Sequence, residues 1–375
     1  MAETLLPLDD ALALLREALP AAAAPPVRAD RDDPALDRSA MDGVALRASE
    51  GLSPRRLAGS LFAGDDPAAR PVGPGEAVRI MTGAALPPGA DAVVPVERLR
   101  IEGGLVHLEV PPRPGDHVRH RGSQARAGET LLPEGTPLNA ARAGLRAQVG
   151  LQAAALRRVV VGVASTGDEL TSAPLPHQIR DSNGPMLAAL AHRLGADVRA
   201  LPSLPDDPAA LEARLRALGD VQVLLTSGGV SMGEKDHLPG VLQGLGARIL
   251  FHKLRLKPGK PMLAALLPEG GPVVLGLPGN PLSAYLNALL FLPVALARLE
   301  GLQEPDPWRH GTLSAPVRNP GDRPLLHPCR RAGSVLQPLA SQGSGDLVTL
   351  ARADACAWIP EGGAGAGAVR YLDVL

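Results

Sequence analysis

The sequence predicts a multidomain fold of α/β plus β type, in which a central α/β domain is built on a mostly parallel sheet. Three observations lead to this prediction. Apolar runs alternate with helical patterns from about residue 157, short strand-like runs separated by Gly and Pro turns fill 34–116, and short β runs return after about residue 304. We therefore expect four domains: a small mixed N-terminal domain (1–33 with 117–155), a β-rich inserted domain (34–116), the α/β domain (156–302) and a C-terminal β domain (303–375).

The first predicted helix covers residues 5–19. Leucines recur there at helical spacing, and a Pro/Ala stretch at 20–26 ends the pattern. The segment carries acidic residues and no basic region, so it is not typical of a secretory signal peptide. Residues 117–155 form a mixed segment that closes with the helix-like run AARAGLRAQVG.

The central domain is predicted from strands that alternate with helices. The strand-like runs are RRVVVGVAS, VQVLLTS and PVVLGLP. One helix is expected to start within the Asp-Ser-Asn run at 181–183 and to end at Gly195. A long helix is expected after Asn280, with Pro281 in its first turn and a kink at Pro293.

Composition excludes several classes of protein. The 375-residue chain has a formal net charge of −1 and only 2% aromatic residues, which argues against a nucleic-acid-binding surface. Its two cysteines, Cys329 and Cys356, fit no disulfide framework or thiolate zinc pattern. No apolar run was found that reaches the ~18 residues of a membrane span. We expect a cytoplasmic protein with neither a nucleic acid nor a membrane as partner.

Turns that carry glycines, acids or both follow the three predicted parallel strands. The turns are Thr166-Gly167-Asp168-Glu169, the run Ser227-Gly228-Gly229-Val230-Ser231 leading to Asp236, and Leu277-Pro278-Gly279-Asn280-Pro281. Ligands of open α/β sheets bind beyond the carboxyl ends of the strands, and glycines let backbone N–H groups approach an anion. Carboxylates at the same edge suit Mg²⁺, which prefers carboxylate and phosphate oxygens. The three turns together predict a crevice for phosphate and a metal ion.

Lysine is rare in this chain and is concentrated in one stretch. Four of the 38 basic side chains are lysines, and three of them, Lys253, Lys257 and Lys260, lie in the stretch FHKLRLKPGKP. Arginine presents a wide planar fork, whereas lysine presents a compact and rotatable charge. The stretch is therefore a candidate binding site for a small oxyanion or a phosphate.

Each of these signals also has an ordinary structural interpretation. A Gly-Gly pair after a strand is commonly a plain turn, Asp168-Glu169 suits a helix cap, and lysine clusters are commonly solvated faces. The chain has no P-loop, no GxGxxG fingerprint and no HxxxH zinc spacing. His117 and His120 fit an exposed Arg-rich turn better than a metal site, and Ser227 or Ser231 lacks a histidine partner for nucleophilic catalysis.

Eight ordered motifs resemble one family over nearly the whole chain. They are SAMDG (39–43), MTGA (81–84), GADAVV (89–94), STGDEL (165–170), DSN (181–183), SGGVS (227–231), KPGKP (257–261) and LPGNP (277–281). The chain is similar in these motifs to the MoeA and gephyrin E-domain family of molybdopterin molybdenumtransferases. The chain departs from the family pattern in three places. Val44, directly after SAMDG, replaces the tyrosine usual in the family, and Gln124 stands near where the family has an acid. The region before SAMDG is shorter than usual in the family.

The resemblance implies a function. Such enzymes insert molybdenum from molybdate into adenylylated molybdopterin with Mg²⁺ and release AMP. They are homodimers of four-domain subunits, in which an α/β domain of the molybdopterin-binding fold faces the SAMDG domain of the other subunit. A molybdopterin adenylyltransferase is the expected upstream donor.

The resemblance and the strand-end turns together give a set of candidate site residues. The expected catalytic residues are Asp42, Lys257 and Lys260. The expected metal ligands are Glu169 and Asp236. The expected substrate-binding residues are Thr82, Thr166, Gly167, Asp168, Ser227, Gly228, Gly229, Ser231, Pro278, Gly279, Asn280, Ser283, Arg330 and Ser344.

Two other functions remain open from the sequence. A gephyrin-like scaffold would need an exposed groove and no retained chemistry, whereas this chain keeps the SAMDG, TGDE, GGVS and KPGK motifs. A nucleotide hydrolase could share the molybdopterin-binding fold, but it would not need the additional β-rich and C-terminal domains.

Overall fold

The computed structural model describes residues 5–20, 23–151, 158–230 and 236–375, without the side chains of 364–366. The chain forms two compact units, one comprising Met1–Ala24 with Leu156–Leu375 and the other Pro25–Ala155. Helix α1 (Leu8–Ala18) belongs to the larger unit. The four-domain division predicted above stays a prediction.

The smaller unit is dominated by β structure. Its strands are β1 (Val27–Arg28), β2 (Arg38–Ser39), β3 (Gly43–Leu46), β4 (Arg55–Leu61), β5 (Glu76–Ile80), β6 (Ala92–Pro95), β7 (Leu99–Glu102), β8 (Leu105–Leu108), β9 (Val118–Arg119) and β10 (Thr130–Leu132), followed by helix α2 (Ala140–Gln148). A six-stranded sheet has the order β6-β3-β5-β4-β8-β7, and β1-β10 and β2-β9 form two-stranded ladders. Val44 of β3 is buried in the core of the large sheet.

The central part of the larger unit is an α/β sandwich. Its elements are β11 (Val160–Ser165), α3 (Asn183–Arg193), β12 (Asp197–Ala200), α4 (Pro208–Arg216), β13 (Val223–Ser227), α5 (Leu238–Gly244), β14 (Arg248–His252), β15 (Leu263–Leu266), β16 (Val273–Leu277) and α6 (Pro281–Glu300). The sheet order is β12-β11-β13-β16-β15-β14. The first four strands are parallel, and β15 and β14 extend the sheet in antiparallel pairing. This confirms the predicted mostly parallel sheet.

Helix α6 forms the centre of the core. Fifteen of its twenty residues are buried, and Pro293 lies inside the continuous helix. Within the described residues it is also the one helix long and apolar enough to cross a membrane, with a mean hydropathy of 1.6. The sequence predicted this helix, but the search for apolar runs did not count it as a possible membrane span. Because 83% of the tested window is buried, the apolar composition is that expected of a core helix.

A closed five-stranded barrel completes the larger unit. It is built from β17 (Trp308–Arg318), β18 (Leu325–Ala332), β19 (Val335–Pro338), helix α7 (Leu347–Arg352), β20 (Ala355–Ile359) and β21 (Ala364–Asp373), with the strand order β17-β19-β18-β20-β21. Leu326 and Leu372 of the barrel belong to the same hydrophobic core as α6. Both cysteines are free and buried.

Candidate functional site

The KPGK turn (257–260) is held in place by backbone hydrogen bonds on both sides. Lys257 donates its N–H to the Pro324 carbonyl at 2.8 Å, and the N–H of Leu326 donates to the Lys257 carbonyl at 2.8 Å. Lys260 accepts from the N–H of Leu254 at 2.8 Å. The turn is therefore fixed between the segment that follows β14 and the start of barrel strand β18.

Asn287 of α6 holds the turn from beneath. Its Nδ2 donates to the Gly259 carbonyl at 3.1 Å, and its side chain is fully buried. Gly259 has φ +127°, and a Cβ there would lie 2.5 Å from the Asn287 Oδ1. Only glycine fits this backbone conformation and this spacing.

The KPGK pocket is a cavity of about 580 Å³ beside this turn. It is lined by Lys257, Pro258, Gly259, Lys260, Pro261, Pro278, Asn280, Leu282, Ser283, Arg323, Leu325, Leu326, His327, Pro328, Ser341, Gly343 and Ser344. None of these described lining residues is acidic, and three carry a positive charge. Hydroxyl and amide groups add hydrogen-bond donors, so the pocket has the chemistry of an anion site.

The strand-end pocket is a second cavity, of about 560 Å³, beyond the carboxyl ends of β11, β13 and β16. It is lined by Ser165, Thr166, Gly167, Glu169, Leu170, Ile179, Arg180, Asp181, Ser182, Asn183, Asp206, Ser227, Gly228, Gly229, Asp236, Gly279, Asn280, Pro281, Gly345 and Leu347. The three turns predicted from sequence thus meet at one edge of the sheet, as the parallel topology requires.

Asn183 at the start of α3 ties two of these turns together. Its Nδ2 donates to the Ser227 Oγ and to the Gly279 carbonyl, both at 2.7 Å. The third turn is joined through Thr166, whose N–H donates to the Ser227 carbonyl at 2.9 Å. A bonded network of this kind holds the turn backbones in a fixed arrangement before a ligand arrives.

Two glycines of the strand-end pocket have no room for a side chain. Gly228 has φ +95°, and a Cβ there would lie 2.4 Å from the Thr166 Oγ1. Gly167 has φ +135°, and a Cβ there would lie 2.3 Å from the Glu169 carboxylate. The absence of side chains leaves backbone groups accessible at the rim, which suits close approach of a phosphate.

The acidic residues of this pocket are the candidate metal ligands. Glu169 and Asp236 both line it, together with Asp181 and Asp206. Asp181 is already engaged, since its Oδ1 accepts from the Ser165 Oγ and from the N–H of Gly184, both at 2.9 Å. Within the described residues no three His, Cys, Asp or Glu side chains gather as a metal cluster. Mg²⁺ commonly uses one or two carboxylates with water and phosphate oxygens, so Glu169 and Asp236 fit such an ion.

The two pockets adjoin at Asn280 and Ser344. Asn280 lines both cavities, and its Nδ2 donates to the Ser344 Oγ at 2.9 Å. Ser344 also accepts, through its carbonyl, from the N–H of Leu282 at 3.0 Å. An elongated ligand can therefore place one end in each pocket.

Asp42 and Thr82 form a local pair in the smaller unit. The Asp42 Oδ1 accepts from the Thr82 N–H at 2.6 Å and from the Thr82 Oγ1 at 2.7 Å. The Thr82 backbone hydrogen bond, followed by that of its hydroxyl, lowers the pKa of Asp42 below its usual 3.8. The carboxylate is thus held ionised and in a defined orientation.

Comparison with known proteins places the chain in a family. Residues 2–150 match the MoeA N-terminal region (domain I and II), 162–297 match a probable molybdopterin binding domain, and 310–369 match the MoeA C-terminal region (domain IV). A molybdopterin molybdenumtransferase of a Nostoc species is 36% identical over 368 residues, covering 90% of this chain and 82% of the relative. The Bacillus subtilis molybdopterin molybdenumtransferase is 33% identical, covering 93% of this chain and 85% of the relative. The chain belongs to the molybdopterin molybdenumtransferase family, a family of enzymes.

The fold agrees with this assignment. A crystal structure of a molybdopterin biosynthesis MoeA protein from Pyrococcus horikoshii is 27% identical, with a TM-score of 0.79. The comparison covers 99% of this chain and 100% of that one. The multidomain architecture expected from the motifs is therefore that of the molybdopterin molybdenumtransferase family.

Most of the residues predicted for the larger unit line the two pockets, but Arg330 and Asp168 do not. Arg330 lies exposed on β18 and is not among the residues lining the KPGK pocket. Asp168 is not among those lining the strand-end pocket. Ser231 lies outside the described residues.

The sequence analysis missed pocket residues that carry no motif. Arg323 and His327 line the KPGK pocket, and Asp206 lines the strand-end pocket. Asp206 follows β12, the edge strand beside β11, and its carboxylate accepts from the N–H of Asp168 at 3.3 Å. The rule that ligand groups follow parallel strands could have found Asp206, had β12 been recognised as a strand.

Proposed function

We propose that this protein acts in molybdenum cofactor biosynthesis, as a molybdopterin molybdenumtransferase that uses molybdate and adenylylated molybdopterin and releases AMP. The observation that supports this most is that the KPGK pocket, whose described lining has no acidic residue, adjoins the glycine-lined strand-end pocket at Asn280. One cavity suits a small oxyanion and the other a phosphate-bearing ligand. The two substrates of the proposed reaction need that combination.

In this proposal the strand-end pocket binds the nucleotide end of the substrate. The turns at Gly167, Gly228 and Gly279 present backbone to its phosphates, and the network through Asn183 keeps the turns in place. The pterin end with its two sulfurs then points past Asn280 toward the KPGK pocket. Binding energy from the nucleotide therefore positions the reacting end of the substrate.

Molybdate is assigned to the KPGK pocket. The ammonium groups of Lys257 and Lys260 would face this small tetrahedral dianion. Arginine at either position would bring a bulkier guanidinium into the pocket. Ser283 and Ser344 add hydroxyl donors. Backbone hydrogen bonds already fix the turn, so little reorganisation accompanies binding.

Glu169 and Asp236 would hold Mg²⁺ in the strand-end pocket. The ion would neutralise charge on the phosphates at which AMP is released. The two carboxylates orient those phosphates, while Gly167 and Gly228 leave them room at the turn backbone. A dependence on Mg²⁺ is the expected consequence.

We further propose that the active form is a homodimer, in which Asp42 and Thr82 serve the site of the partner subunit. The ionised, doubly bonded Asp42 carboxylate supports a binding or catalytic role. The proposed donor of the substrate is a molybdopterin adenylyltransferase, and the proposed location is the cytoplasm. No nucleic acid or membrane partner is needed for this reaction.

The decisive experiment is incubation with adenylylated molybdopterin, Mg²⁺ and molybdate. We expect AMP and a molybdenum-loaded pterin to appear together. If AMP release is the same with and without molybdate and no loaded pterin forms, the protein is instead a nucleotide hydrolase. No reaction under any condition would contradict the proposed function.

Variants of the KPGK turn test the molybdate assignment. Lys260→Ala should weaken use of molybdate by roughly tenfold to a hundredfold, the cost of one charge-assisted hydrogen bond, and leave nucleotide binding unchanged. Lys260→Arg keeps the positive charge but adds the bulk of a guanidinium. If only the charge matters, this variant should use molybdate as the wild type does; if the pocket is tight, its use of molybdate should be weakened. If Lys260→Ala uses molybdate as well as the wild type does, the KPGK turn is not part of the molybdate site.

A carboxylate variant tests the metal assignment. Asp236→Asn should raise the Mg²⁺ concentration needed for half-maximal activity. If Asp236 has only a structural role, the melting temperature should fall while the Mg²⁺ titration stays that of the wild type.

A further inference from the structure

We propose that His252, the last residue of β14, is a positioning residue for the nucleotide end of the substrate. It holds the Gly228-Gly229 turn in place through the carbonyl of the next residue, Val230. His252 itself lies outside the described lining of both pockets. The inference rests on the proposed function and deepens it, because it names a residue on which nucleotide binding depends without direct contact.

A single hydrogen bond joins the histidine to the loop. The His252 Nε2 lies 2.8 Å from the Val230 carbonyl oxygen. A carbonyl oxygen can only accept, so Nε2 carries the hydrogen and donates it. Val230 is 1% exposed, so water has little access to this carbonyl. A buried acceptor that loses its donor is costly, and the loop should therefore shift when the imidazole is removed.

The bond joins two strands that are not neighbours in the sheet. Strand β13 leads directly into the turn, and β14 is the edge strand three places away in the order β13-β16-β15-β14. Between these two strands Val230 packs against Gly276 of β16, where an added Cβ would lie 2.7 Å from the Val230 Cγ1. The turn is thus tied to the edge of the same sheet whose strand ends form the pocket.

The two glycines of the turn depend on what holds their ends. Gly228 and Gly229 have φ of +95° and +69°, and glycine populates positive and negative φ about equally well. On the β13 side, the N–H of Gly228 donates to the Leu277 carbonyl at 3.0 Å. On the other side, His252 holds Val230. Both holds are needed to fix the direction of the glycine backbone.

The position of this backbone matters because both glycines line the strand-end pocket. Groups that already have the bound geometry bind a ligand more tightly than groups that must be ordered on binding. Without the His252 hydrogen bond, the turn should pay this ordering cost when a phosphate arrives. The KPGK pocket does not contain the turn and should be unaffected.

Binding of AMP with Mg²⁺ to the purified full-length protein, measured by titration calorimetry, tests the histidine. His252→Leu removes the donor and should weaken AMP binding roughly threefold to tenfold, the size of one net hydrogen bond. His252→Gln should restore part of the loss, because its amide can still donate. Molybdate affinity should stay that of the wild type in both variants. Unchanged AMP affinity in His252→Leu, or an equal loss for AMP and molybdate, would overturn the proposal.

Phe251 provides the control for a merely structural effect. It precedes His252 on β14, but its buried ring packs 5.4 Å from that of Phe291, in a different hydrophobic cluster from Val230. Phe251→Leu should lower the melting temperature and leave AMP affinity as in the wild type. If it weakens AMP binding as much as His252→Leu does, the histidine acts only through the stability of β14 and the proposal fails.

Gly276→Ala approaches the same carbonyl from the sheet. The added methyl group should displace Val230, so AMP binding should weaken although the imidazole is intact. Since both substitutions act through Val230, the double variant should lose less than the product of the two separate losses. Losses that multiply in full would show that His252 and Gly276 act independently and would contradict the proposed route.

These measurements separate the inference from the function on which it rests. If the wild-type protein forms no loaded pterin, the proposed function fails, whatever His252→Leu does to AMP binding. If the wild type forms loaded pterin and binds AMP, and His252→Leu matches it in AMP affinity, only the role of His252 fails.

Discussion

At the scale of single residues, Gly259 decides whether the KPGK turn can form. Its φ of +127° is a conformation that L-residues rarely adopt, and an added Cβ would meet the buried Asn287 at 2.5 Å. We expect Gly259→Ala to cost more than about 3 kcal/mol, because backbone strain and overpacking act together. The free energy of unfolding from urea titration measures this cost.

Gly270 provides the matched control for Gly259. It also has positive φ, at +74°, but nothing lies within 4 Å of the position a Cβ would take. Gly270→Ala should therefore carry only the backbone penalty of about 1–2 kcal/mol. Equal costs in the two variants would show that contact with Asn287 contributes nothing.

His327 should make stability depend on pH. The folded imidazole has a lowered pKa because it is partly buried, whereas the unfolded ring takes up a proton near pH 6.5. Below that pH the unfolded state binds more protons, so this contribution is fully present above about pH 6.5 and is lost as pH falls through the folded value. His327→Gln has no such group, and its free energy of unfolding should decline less than that of the wild type between pH 7.5 and 5. Parallel profiles for the two proteins would contradict the burial of a neutral imidazole.

Sequence could identify Lys257 and Lys260 but not Arg323. The two lysines stand out because lysine is so rare in this chain, and their Pro-Gly turn is contiguous. Arg323 is one of many arginines, and its place in the KPGK pocket depends on the first residues of β18 pairing with Lys257 from a segment more than sixty positions earlier. Non-local pairing of this kind leaves no periodic signal in the sequence.

At the scale of elements, α1 shows how a pattern predicts a helix without predicting its partner. The leucine spacing correctly predicted the helix, and its buried face belongs to the core that contains α6. Leu15 is fully buried, whereas its neighbour Leu14 is 36% exposed. We expect Leu15→Ala to cost about 2–5 kcal/mol in the free energy of unfolding and Leu14→Ala to cost well under 1 kcal/mol.

The measurement for α1 should follow the larger unit specifically. Trp308 and Trp358 both lie there and are the only tryptophans in the sequence, so their fluorescence reports on that unit. A midpoint in the tryptophan signal that is unchanged by Leu15→Ala would show that α1 does not stabilise the α/β core.

Three of the parallel strands could be predicted from the sequence, whereas the rest of the sheet could not. Strands β11, β13 and β16 are buried on both faces and read as continuous apolar runs that end at glycine turns. The edge strand β14 has only one buried residue, Phe251, and its last two residues begin the lysine-bearing stretch. Its antiparallel pairing with β15 follows from tertiary contacts, and barrel closure likewise depends on the distant pairing of β17 with β21.

At the scale of the whole molecule, the proposed chemistry draws on both compact units. Lys257 and Lys260 belong to the larger unit, and Asp42 and Thr82 belong to the smaller one. A site that needs both sets of residues can take them from one subunit or from two. The family resemblance implies two subunits, and a two-fold axis then gives each dimer two equivalent shared sites.

Subunit mixing tests that arrangement. If Asp42 and Lys260 reach one site from different subunits, an Asp42→Asn chain paired with a Lys260→Ala chain has one doubly damaged site and one intact site. Mixing two inactive homodimers under subunit exchange should therefore restore activity. With random pairing about half of the dimers are mixed, each with one good site of two, so recovery should approach about a quarter of the wild-type rate. Each variant exchanged with itself is the control, and no recovery despite mixed dimers seen by native mass spectrometry would show that one chain builds the whole site.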